Sequence, residues 1–119
     1  MSITEIPVHN PADIERRIEE LANRIAKGVT IISNAEREAR AARRDFDLAY
    51  AHAYKRSEGP VNERKYAADI DTMPHRERAE IAELAFRHAE RTAKALEKEL
   101  IAWQSIGSSV RTMYGSVRS

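Results

Sequence analysis

Residues 11–53 read "PADIERRIEELANRIAKGVTIISNAEREARAARRDFDLAYAHA", and the order of their apolar positions decides the fold. Ile14, Ile18, Leu21, Ile25, Gly28, Ile32, Ala35, Ala39, Ala42, Phe46, Ala49 and Ala53 follow one another in alternating steps of four and three without an exception. Such steps keep side chains on one stripe of an α-helix, so the stretch is a heptad seam and is predicted to be one long helix. Just before it, Asn10 can cap the helix, Pro11 suits its first position and Asp13 can reach back as the acid of a capping box.

Downstream, "KRSEGPVNERK" (55–65) supplies Ser57, Gly59 and Pro60, which together signal a helix stop and a turn. A second helix follows. Pro74, in "DTMPHRER", must kink that helix or restart it from Thr72 or Met73, because proline brings no amide donor and crowds the preceding turn. Beyond it Ala82, Phe86, Ala89, Ala93, Leu96, Leu100, Trp103, Gly107, Val110 and Tyr114 again alternate four and three. The predicted architecture is therefore all-α: a long antiparallel helical hairpin, or coiled coil, that self-associates. Its parts are an N-terminal arm (1–10), a long helix (11–57), a turn (58–62) and a second helix (63–115) kinked or broken near 72–75, with Ser116 to Ser119 fraying.

If the hairpin turns near Gly59, paired positions sum to about 117 or 118. Ile14 then meets Trp103, Ile18 meets Leu100, Leu21 meets Leu96, Ile25 meets Ala93, Ile32 meets Phe86 and Ala39 meets Ala79. Arg17 with Glu99 and Glu38 with Arg78 support this register, while Glu36 with Glu83 and Arg43 with Arg76 oppose it. Two helices with so many seam alanines bury little apolar surface against the entropy of ordering them. Val29, Ile31, Leu48, Tyr50, Tyr54, Ile81, Leu84 and Ile101 lie off the main stripe, and these predict a second seam and a homo-oligomer. The alternative is that Ile3, Ile6 and Val8 fold back over the hairpin and complete a monomeric core.

The 119 residues bound the chain to one domain, a third of them charged and 6% aromatic, which fits solvated helices with narrow seams better than a thick core. With 20 basic and 19 acidic residues the formal charge is +1, so any anion site must be a local patch. The absence of cysteine rules out disulfides and thiolate chemistry. The first residues lack a signal-peptide pattern and no apolar run reaches the ~20 residues of a membrane span, so a cytoplasmic location and no membrane partner are expected.

No catalysis, cofactor or metal is expected. The four glycines form no phosphate-cradling loop, and His9, His52, His75 and His88 form no metal-spaced pair. Three features can carry binding. Arg37, Arg40, Arg43 and Arg44 line one outer face of the first helix, although Glu36, Glu38, Asp45 and Asp47 beside them fit an ordinary solvated face. Lys55, Arg56, Arg64 and Lys65 are two basic pairs brought close by the turn, suited to a phosphate backbone. At the C-terminal end, Lys94, Lys98, Trp103, Arg111, Tyr114 and Arg118 combine cations with aromatic rings, the pairing that holds single-stranded nucleic acid by stacking. Trp103 and Tyr114 both fall on the seam, where packing is the competing explanation.

"GPVNERKYAADID" (59–71) and "RTAKALEKELIAWQSIGSSVRTMY" (91–114) resemble stretches of small all-helical bacteriophage proteins, similar in organisation to recombination mediators of the UvsY kind. The likeness spans roughly residues 35 to 115. It implies an oligomer in an infected bacterial host that binds single-stranded DNA and helps load a recombinase onto strands covered by single-strand-binding protein. Carried over, it implicates Arg64, Lys65, Lys98 and Arg111. The near-zero net charge departs from a committed DNA binder, unless an oligomer repeats one small basic patch. The alternative function is a protein-interaction adaptor that docks on a host or phage protein through an exposed helix face carrying Ile81, Leu84 and Ala85, without nucleic acid.

Overall fold

A computed structural model describes residues 10–118. The chain is an all-α helical hairpin: α1 (Pro11–Arg56), α2 (Val61–Asp71) and α3 (Met73–Arg118). The arm residues Ile3, Ile6 and Val8, like His9, lie outside the described residues. Two compact units are distinguished, one joining the chain up to Gly28 with the chain from Thr92, the other Val29–Arg91.

The start of α1 follows the capping logic of its sequence. The Asp13 N–H donates to Asn10 Oδ1 at 2.9 Å, and the Ile14 N–H to the Asn10 carbonyl at 3.1 Å. Asp13 returns the contact by accepting from the Asn10 side-chain amide at 2.7 Å. One of the backbone donors that a helix start leaves unpaired, the Asp13 N–H, is thereby satisfied.

All twelve seam positions of α1 are buried or half-buried. In the unit built from both chain ends, Ile14, Leu21 and Leu96 are buried, each worth about 1.5–3 kcal/mol of transfer free energy relative to exposure. Here the pairing differs from the expected register. A Cβ built on Gly107 would stand 3.2 Å from Ile14 Cγ2 and 3.8 Å from Ile18 Cδ1, so Gly107 faces Ile14 where Trp103 was expected. The missing side chain lets the isoleucine approach the backbone of α3. On the flank, Arg17 Nη2 donates to Glu99 Oε1 at 2.6 Å, a contact that the sequence register did contain.

The Val29–Arg91 unit holds the turn. Ser57 closes α1, its Oγ donating to the Ala53 carbonyl at 2.8 Å and its N–H to the same oxygen at 3.1 Å. Gly59 takes φ +104, a left-handed conformation that side chains with a Cβ rarely adopt. Pro60 then precedes Val61 in an extended conformation, and its carbonyl accepts from the Arg64 N–H at 3.0 Å. The second helical stretch thus starts at Val61, directly after Pro60.

Pro74 breaks the second stretch at the single residue Thr72 without changing its phase. Ala68, Thr72, His75 and Ala79 are buried or half-buried and lead into Ala82 and Phe86 in the same steps of four and three. Thr72, 2% exposed, does not cap α3; its Oγ1 turns back and donates to the Ala68 carbonyl at 2.6 Å. Arg76 spans the break by giving a hydrogen bond to Asp69 at 2.8 Å. At the far end, α3 runs to Arg118. Tyr114, expected on the seam, is 51% exposed.

Candidate functional site

The basic residues named by the sequence fall into the two units. Lys55, Arg56, Arg64 and Lys65 surround the turn in the Val29–Arg91 unit, whereas Lys98, Arg111 and Tyr114 belong to the other. They therefore form two groups, each taken by itself.

At the turn, Lys55 and Arg56 occupy the last turn of α1 and Lys65 the second turn of α2. All three are exposed and make no ion pair among the described residues. The unpaired carbonyls at the end of α1 favour the positive charges of Lys55 and Arg56. Arg64 differs. Its guanidinium lies 4.4 Å from the Tyr54 ring centroid, and its Nη2 donates to the Tyr54 carbonyl at 3.1 Å. It thus adds a second donor to a last-turn carbonyl of α1 that the Ser57 N–H reaches at 3.3 Å, while its Nε is buried without a partner. Arg64 holds the turn together rather than facing solvent with Lys65.

In the other unit Lys98 and Arg111 are exposed on α3 and also lack an ion pair among the described residues. Trp103 is half-buried on the seam, and its indole donates to Glu99. The Arg17 hydrogen bond is the main cause that holds the Glu99 carboxylate below the usual glutamate range, with burial opposing it and the Trp103 bond adding to it. Trp103 is accordingly packed and anchored, while Tyr114 is the open ring at this end.

The arginine run on α1 is largely engaged locally. Arg40 pairs with Glu36 and Arg43 with Asp47, both at 3.4 Å, and Arg37 donates to Asn34 at 3.3 Å. Arg43 and Arg76, a like-charge clash in the sequence register, both lie over the Phe46 ring, at 5.4 and 5.5 Å from its centroid. Each has its own acid, Asp47 and Asp69, so the ring and two carboxylates absorb the repulsion.

Sequence reasoning missed Thr72 and His75 as seam residues. Their 4,3 spacing was visible, but a polar residue beside a proline does not read as core. His75 Nδ1 is buried without a partner. Among the described residues no group of three or more His, Asp or Glu could hold a metal ion, and no helix is long and apolar enough to cross a membrane. Neither the family models nor the curated proteins nor the solved structures include a match to this chain.

Proposed function

We propose that this chain is a non-enzymatic accessory protein of bacteriophage DNA recombination or replication, acting as an oligomer that binds single-stranded DNA and helps load a recombinase. The observation that carries the reading is the turn: Lys55, Arg56 and Lys65 gather at one end of the unit, exposed and without acid partners among the described residues. Unpaired cations at a tip are free to exchange counterions for phosphates. Lys98, Arg111 and Tyr114 offer a second patch with a ring for a base to stack on. The choice of single-stranded DNA as the polyanion, the phage setting and the recombinase come from the resemblance of residues 59–71 and 91–114.

Fluorescence anisotropy of a labelled single-stranded oligonucleotide, titrated at low and moderate salt, tests this reading. Binding that weakens steeply with salt is expected; no binding at low salt, or affinity indifferent to salt, would overturn it.

The adaptor reading is favoured by one observation of its own: Ile81 and Leu84 stand 60% and 66% exposed on α3. A helix face of that kind can dock on a host or phage protein. The reading predicts capture of a defined protein that is abolished by Ile81→Asp with Leu84→Asp and unaffected by removing Lys55, Arg56 and Lys65. Capture that needs those cations would count against it.

A further inference from the structure

In the Val29–Arg91 unit the buried apolar residues are Ala39, Ala53, Ala68 and Ala79, while large apolar side chains such as Ile81 remain outside. A core of alanines contributes little transfer free energy per residue, and exposed apolar surface next to it marks an interaction face. One open groove in this unit, of about 470 Å³, has Ala41, Ala85 and Ile81 among its apolar lining. Its α1 side carries Glu38 and Asp45, and its α3 side carries Arg78. None of the three makes an ion pair among the described residues, although other arginines of the unit do.

Opposite charges on opposite rims make the groove complementary to itself. A twofold axis running along the helices lays α1 of one copy over α3 of the other, so that each acidic rim meets the other copy's basic rim. A twofold axis across the helices would instead oppose α1 to α1 and set Glu38 and Asp45 against their own kind. The charges select the first arrangement. Alanines between the rims permit the close helix approach of a four-helix bundle.

We propose that this groove is the surface through which two copies of the chain pair, α1 over α3, with Glu38 and Asp45 of each copy meeting Arg78 of the other. The inference rests on the self-association in the reading above and not on DNA binding, because the particle mass is measured without nucleic acid.

The test is charge reversal in the full chain, read by light scattering and sedimentation, with helicity followed by circular dichroism. The wild-type protein is expected to contain an even number of chains. Arg78→Glu, and separately Glu38→Arg with Asp45→Arg, should each raise the dissociation constant tenfold or more. Mixing the two variants restores both rim-to-rim contacts and should recover the pair, along with any helicity that either variant lacks alone. A single-chain wild type, an odd number of chains, a mass unmoved by either reversal, or a mixture that fails to recover the pair would overturn the proposal.

Discussion

Arg17 and Glu99, 82 residues apart in sequence, are joined at 2.6 Å, which ties α1 to α3 beside the buried Ile14 and Leu21. This pairing makes stability depend on pH in a stated direction. The folded-state pKa of Glu99 is depressed, chiefly by the Arg17 hydrogen bond. Its contribution is therefore fully present above the ordinary glutamate pKa and disappears as pH falls through the lower folded value. Glu99→Gln and Arg17→Ala are expected to flatten the acid limb of a plot of melting temperature against pH. An acid limb as steep in both variants as in the wild type would show that this pair does not set it.

The glycines of the two seams are expected to respond oppositely to added side chains. Gly28 is inside α1 and an added Cβ would meet nothing within 4 Å, so Gly28→Ala should stabilise by about 0.5–1 kcal/mol through helix propensity alone. A Cβ on Gly107 would stand 3.2 Å from Ile14 Cγ2, and a larger side chain must push the isoleucine away. Gly107→Val is expected to cost about 1–3 kcal/mol, the usual range for overpacking. Urea unfolding of both variants checks the pair; equal gains would mean that α1 and α3 do not meet at Gly107.

The long seams were legible because steps of four and three, repeated without a break, leave few alternatives to a helix. The Asn10 cap and the turn at Gly59 were legible for the same kind of reason, since each needs a particular residue at a particular place. The register was legible only in part: Arg17 meets Glu99, and Arg43 and Arg76 share the Phe46 ring, as it expects, but it does not contain Gly107 against Ile14. Alanine at so many seam positions makes neighbouring registers nearly equal in apolar contact, and the decision falls to where an isoleucine can approach a glycine. Arg43 and Arg76 could not be judged from charge alone, because the Phe46 ring between them and the acids beside them change the sign of the argument. Arg64 reads as a turn-tip cation equal to Lys65; only the position of the Tyr54 ring and carbonyl separates the two.

Thr72 offers a separate measure of what holds the α2–α3 junction. It is 2% exposed, and its Oγ1 donates to the Ala68 carbonyl, which also receives the Thr72 N–H at 3.0 Å. Removing the hydroxyl therefore leaves no orphaned acceptor, whereas removing the methyl leaves a void. Thr72→Val is expected to change stability by less than about 1 kcal/mol and Thr72→Ala to cost more, about 1–2 kcal/mol. If valine proves as costly as alanine in thermal or urea unfolding, the hydroxyl and not the packing holds the junction.

Arg64 and Lys65 are adjacent, and their separate environments predict separate effects. Arg64 bridges to the end of α1 through the Tyr54 ring and carbonyl, so Arg64→Ala should destabilise the fold by about 1–2 kcal/mol, the combined scale of a cation–π interaction and a hydrogen bond from a charged group. Arg64→Lys should recover only part of this, because an ammonium cannot stack as the planar guanidinium does. Lys65 is exposed and makes no ion pair among the described residues, so Lys65→Ala should leave unfolding unchanged. If the turn binds single-stranded DNA, that variant should also lower the slope of log affinity against log salt by about 0.7 for each phosphate it no longer neutralises. Denaturation and oligonucleotide titration on both variants separate the roles. A salt slope that falls with Arg64→Ala as it does with Lys65→Ala would show that Arg64 contacts phosphate as well as bracing the turn.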